Sequence, residues 1–162
     1  MKTDELREPL LELLTGQDAH MDFDEAVGEF PTRAVNERPL NVPYSPWQLL
    51  EHLRLSQRDI LDYLTDPSYV APPWPEGYWP ADDATADAEA FQATLDGFRT
   101  DRETLRRLVA GPSLDPMAVL PNTPGHTLFR EIRLVAAHNA YHLGEFAILR
   151  QVMGTWPATR RG

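Results

Sequence analysis

The chain has 162 residues, a formal net charge of −10 and no cysteine. That length fits a single domain over residues 1–162 with its own apolar core, and the acidic balance argues against a nucleic-acid partner, whose phosphates need a basic surface. Without thiols, neither a disulfide nor a thiolate metal site can form, so a bound metal must use histidine, carboxylate or water.

Four long helical segments are expected. The first runs from about Thr3 to Asp18, with Leu6, Leu10, Leu13 and Leu14 on one stripe and Pro9 as a point of kinking or delayed start. Met1–Leu14 is charged and amphipathic rather than an apolar leader, and no run approaches the roughly 20 apolar residues of a membrane span. The expectation is therefore a cytoplasmic protein with no membrane partner. Met21–Phe30 reads as a short helix or turn, and Arg33–Tyr44, with Pro39 and Pro43, as an extended connection.

The second helix has Ser45 as its N-cap and Pro46 at its first position, and it continues to Leu64. Ser68–Pro80 contains PPWPEGYWP, too rich in proline for a helix or a central strand, and reads as a long aromatic loop. The third helix is expected from Asp83 to Ala110, ended by Gly111–Pro112, and a proline-bearing loop Ser113–Gly125 follows. The fourth runs from Thr127 to Met153 with Gly154 just beyond it. With no β-alternation, the pattern predicts an all-α chain: an antiparallel four-helix bundle with long loop connections.

Histidine placement carries the chemistry. His138 and His142 are four residues apart in HNAYHLGEF, and residues so spaced share one helix face. Two such imidazoles can chelate one ion, and His52, in SPWQLLEHL, is placed to add a third from a neighbouring helix. At about 100° per residue, Leu128, Ile132, Val135, Leu143, Phe146 and Met153 form the apolar stripe of the fourth helix. The histidine pair lies on its flank beside Val135 and Leu149, while Arg150 interrupts the edge where a long side chain can reach water. His52 flanks the stripe Leu49, Leu53, Ile60 and Leu64, with Ser56, Asp59 and Tyr63 on its side. The competing reading is a plain structural bundle in which the histidines are incidental. His20 and His126 fall at helix boundaries and read as capping or exposed residues. Glu51, Asp59, Glu131 and Glu145 read as solvated acids, and Tyr63 and Tyr141 as core-edge packing.

Two runs resemble a known group. SPWQLLEHLRLSQRDILDYL is similar to the second-helix motif of the DinB-like superfamily (DinB/YfiT-like, bacillithiol-transferase-related), and HNAYHLGEFAILRQVMGTW to its last-helix motif, closing on Gly154 and Trp156. The resemblance spans about Leu6 to Trp156 and includes the order of elements. It implies a four-helix bundle, a homodimer, and a divalent transition metal (nickel, zinc, iron or manganese) on His52, His138 and His142. It also implies small-molecule chemistry built on a low-molecular-weight thiol: S-transfer of the bacillithiol type or thiol-dependent isomerisation of maleylpyruvate. A metal-dependent hydrolase and a non-catalytic metal-binding or stress-related module are the alternatives, the latter with Glu145 as a candidate fourth ligand. The PPWPEGYWP loop is expected to cap the core end, or else to form a lid, a cleft wall or part of a dimer interface.

Overall fold

The structure is a computed structural model and describes residues 3–16, 19–121 and 123–160. Five α-helices occur among these residues: α1 (Arg7–Thr15), α2 (Phe23–Val27), α3 (Pro46–Thr65), α4 (Ala88–Ala110) and α5 (Leu128–Met153). Short 3-10 turns occupy Thr3–Leu6, Thr32–Ala34 and Ala158–Arg160. The only β-pairing described is an isolated bridge between Val119 and Thr127. Helices α3, α4 and α5 pack against one another through α3, and α1 closes the bundle against α4 and α5.

Local chemistry sets the boundaries. The first helix opens as a 3-10 turn, so its α-helical part starts at Arg7. Pro9 then falls in the first turn, where its missing N–H costs no intrahelical bond. Gly16 ends the helix at φ 73° by donating to the Glu12 carbonyl, a left-handed position that favours glycine. The helix thus stops before Asp18, which lies outside the described residues. At the start of α3 the Ser45 hydroxyl accepts from the Gln48 amide and the Gln48 side chain accepts in return from the Ser45 amide, a reciprocal cap. Gln48 also donates to the Ala81 carbonyl at 2.9 Å, which ties the far end of the aromatic loop to this helix start.

The third long helix starts at Ala88 rather than Asp83. Asp87 caps it by accepting from the Ala90 amide at 2.8 Å, and a single good cap outweighs the modest helix propensity of the acidic run before it. On α5 the expected stripe is buried at Leu128, Ile132, Val135, Leu143 and Phe146, and Gly154 closes the helix at φ 63°. The apolar interior has two clusters. One gathers Phe23, Leu49, Leu53, Phe98 and Phe146, and the other Leu10, Leu61, Leu105, Leu128 and Ile132. Phe23 and Phe98 stack with ring centroids 4.0 Å apart in the first. In sequence register between the clusters, buried Asn139 donates to buried Gln57 at 3.0 Å, and Gln57 donates to the Phe98 carbonyl at 2.8 Å. Both polar atoms of the Gln57 amide are thereby paired, whereas Asn139 is engaged through its Nδ2 and its Oδ1 has no partner among the described residues.

Arg150 corrects the wheel. It is fully buried rather than reaching water. Its guanidinium donates to the carbonyls of Ala26, Gly28 and Thr155 at 2.7–2.9 Å and lies 4.0 Å from the Trp156 ring centroid.

Candidate metal centre

The flanks of α3 and α5 that carry histidine face each other. His52 is buried, and His138 and His142 are half-buried. Nε2 of His52 lies 3.2 Å from Nε2 of His142 and 3.2 Å from Nε2 of His138. One ring nitrogen from each of the three lies within 4.8 Å of the others.

Their other ring nitrogens decide what these Nε2 atoms can do. His52 Nδ1–H donates to the Tyr78 carbonyl at 2.8 Å, and His142 Nδ1–H donates to Glu145 Oε2 at 2.5 Å. In the neutral form of each ring this leaves the lone pair on Nε2, and the two Nε2 atoms point at each other. A proton on His138 Nε2 relieves one such contact, whereas a shared cation satisfies all three. Nitrogen donors about 2.1 Å from one ion, at angles of about 90–110°, lie about 3.0–3.4 Å apart. The 3.2 Å separations meet that requirement without rearrangement, so the residues fit a metal ion held by three imidazoles. Burial, with the neighbouring charges of His142 and His52, pushes His138 down to about 4, and burial also lowers His52. Both stay neutral at pH 7, the form that binds metal.

The aromatic loop builds the wall. Trp79 lies flat on His52, centroids 3.9 Å apart and planes 5° apart, and packs on the core cluster as well. The loop thus supplies a cleft wall in addition to the expected core cap. The cleft has a volume of about 770 Å³ and is lined by the three histidines with Asp59, Trp74, Tyr78 and Leu134 among others.

Other expectations fall out differently. Glu145, read as a solvated acid, orients His142, and because it holds Nδ1 it is turned from the Nε2 side where a fourth ligand would sit. Glu131 is 2% exposed and sits between Arg130 and His126. His126 is neither a cap nor exposed: Tyr63 shares a 2.8 Å hydrogen bond with its Nδ1, so Tyr63 is engaged away from the triad. Glu51 pairs with Arg54 and accepts from Thr94. Tyr141 is exposed and meets the His142 ring edge-on at 4.9 Å. His20 is exposed and does not line the triad's cleft. The Tyr78 carbonyl and the Tyr69 hydroxyl, which donates to Asp59 at 2.5 Å, were not read from the sequence. A backbone oxygen leaves no sequence signal, whereas Glu145, three residues after His142, had one in its helical spacing.

A family model described as the DinB superfamily matches residues 16–146, and the chain belongs to that superfamily. No curated protein matches the chain. No solved structure matches it. No helix among the described residues is long and apolar enough to cross a membrane.

Proposed function

We propose that this protein is a divalent-metal-dependent enzyme that activates a low-molecular-weight thiol for transfer to an electrophilic small molecule. The observation that carries the proposal is the convergence of three imidazoles in a cleft open to ligand. His52, His138 and His142 would hold the ion through Nε2, and such all-nitrogen donors suit nickel, zinc or iron better than the hard oxygen-seeking cations. An ion so held supplies positive charge that lowers the pKa of a thiol or water beside it.

The chain's own residues do the rest. The Tyr78 carbonyl and Glu145 fix the tautomers of His52 and His142 and raise their basicity toward metal. Trp79 covers one side of His52 and excludes water there. In the reaction the thiol proton leaves to solvent, the sulfur forms a carbon–sulfur bond, and the electrophile's leaving group departs with its bonding pair. Glu145 bears against a closed, non-catalytic site, because it is occupied on the far side of the His142 ring. Exposed Leu134, Tyr141, Ile148 and Val152 along α5 support the expected homodimer, which sedimentation of the purified chain checks.

The deciding experiment measures metal by inductively coupled plasma mass spectrometry in untagged parent, His52→Ala and His138→Ala. It then measures thiol conjugation to 1-chloro-2,4-dinitrobenzene by each protein after metal loading. Near-stoichiometric metal in the parent alone, with conjugation only there, is expected. A parent that takes up neither nickel, zinc nor manganese sinks the metal site. A loaded parent without conjugation, but with ester cleavage, moves the assignment to hydrolysis.

A further inference from the structure

The far end of the cleft has a different character from the histidine end. Asp59 follows His52 by seven residues on α3, about two turns or 10 Å along the helix. It is the one carboxylate among the lining residues, and among the described residues no lysine or arginine lines the cleft. The other acids along α3 are neutralised: Glu51 by Arg54, and Asp62 by Arg58, which also reaches Asp101 on α4. Asp59 makes no such ion pair among the described residues, and it accepts from two uncharged groups, the hydroxyls of Tyr69 and Tyr78. Burial and the charge of Asp59 push Tyr69 and Tyr78 above the usual phenol range, so both remain protonated and uncharged beside it. An unneutralised carboxylate in an apolar cleft favours a cation from solution.

Aromatic faces stand next to it. Trp74 and Tyr78 line the same cleft with ring centroids 5.5 Å apart and planes tilted by 49°. Trp79 is already committed to His52, so these two rings are the ones left to a ligand. Aromatic faces beside a carboxylate attract ammonium groups, quaternary ones above all, through the ring quadrupole and the opposite charge together. A carboxylate on the ligand would instead meet Asp59 within a chain of net charge −10.

We propose that Asp59, Trp74 and Tyr78 form a subsite for an ammonium group, so that the cleft takes a cationic small molecule whose other end reaches the histidines. The assignment of that other end rests on the proposed function, and the ammonium subsite itself does not. On this reading the thiol is one with a basic or quaternary tail, and a thiol with carboxylates in its tail fits poorly.

The test uses a cation without thiol. The protein as purified is titrated with n-hexyltrimethylammonium and with heptan-1-ol, a neutral chain of similar length, while tryptophan fluorescence and calorimetry are followed. The ammonium compound is expected to bind about tenfold tighter than the alcohol. Asp59→Asn should remove most of that preference and leave alcohol binding, metal content and circular dichroism unchanged. Trp74→Leu, at a side chain 70% exposed, provides a second variant that does not depend on core packing and should weaken ammonium binding severalfold. Equal binding of the two probes by the parent, or a preference that survives both substitutions, overturns the subsite. Because neither probe carries a thiol, a failure of thiol transfer leaves this result standing, and loss of the ammonium preference leaves the metal measurement standing.

Discussion

Helix α5 buries polar groups at two levels, and the two are solved in opposite ways. Near its C-terminus Arg150 sits wholly inside the protein, yet three carbonyl oxygens surround its guanidinium and two aromatic rings, Phe30 and Trp156, flank it. Its two terminal nitrogens are met by these carbonyls, and the result holds α2 and the chain after Gly154 against α5. Two to three turns earlier, His138 and His142 join His52 in an arrangement where acceptors face acceptors. Arginine cannot shed its proton, so a buried one must be cradled. Histidine can, and burial keeps His138 neutral. A buried arginine tied to the carbonyls of three residues serves the fold. Three histidines whose Nε2 atoms converge on one point have the geometry of a ligand set.

The largest effect tests the cradle. Arg150→Met removes the donor and leaves the carbonyls of Ala26, Gly28 and Thr155 facing an apolar chain. The expected loss is about 3–5 kcal/mol of unfolding free energy, or a melting temperature lower by about 10 °C. Metal bound per folded molecule should not change, because the triad lies elsewhere on the helix. A melting temperature within a degree or two of the parent would show that the cradle contributes little. Altered metal content at unchanged helicity would show that the two levels of α5 are coupled.

The contrast between these levels also explains what could be read before the fold was known. Ser45–Pro46 and the glycines at 16 and 154 mark helix ends through backbone chemistry that acts locally, and the apolar stripe of α5 follows from periodicity alone. The triad was legible because the spacing of His138 and His142 and the order of motifs constrain it. Arg150 was misread because a wheel places a side chain on a face but does not show that the carbonyls at the end of α2 arrive there. Asp83 looked like a helix start because the acidic and alanine-rich run resembles a first turn, and the cap at Asp87 decides otherwise. The hydrogen bond from His52 to Tyr78 depends on a backbone oxygen 26 residues away in a loop, which no side-chain pattern reports.

A smaller effect probes the orientation of the triad. Glu145→Ala leaves all three Nε2 donors in place but frees the His142 ring to rotate or change tautomer. Removing such a support typically costs 10- to 100-fold in metal affinity, about 1.4–2.7 kcal/mol. Competition with a chromophoric chelator measures it, and Glu145→Gln should recover part of the loss because its amide oxygen still accepts from Nδ1. Unchanged affinity in the alanine variant would mean that packing by Trp79 and Tyr141 fixes the rings without the carboxylate.

The smallest effect is a pH dependence of the metal-free protein. His138 is held down to about 4 in the folded state, against 6.5 for an unperturbed histidine, first by burial and then by the charges of His142 and His52. Between those two values the unfolded chain binds the extra proton and the folded chain does not. The contribution of His138 to stability is therefore complete above about 6.5, and it declines as pH falls toward 4. Because the ring borders an open cleft, about 1 kcal/mol is expected once solvent screening is allowed for. Denaturant unfolding of chelator-treated parent and His138→Gln at a series of pH values isolates it: the variant should lose less stability than the parent from pH 7 to 4.5, with the two curves parallel above pH 7. Metal binding should steepen the parent's curve, since protons then compete with the ion for the same Nε2 atoms. Identical slopes in parent and variant without metal would mean that the His138 imidazole is solvated like a surface histidine, and the contrast with Arg150 would then rest on geometry alone.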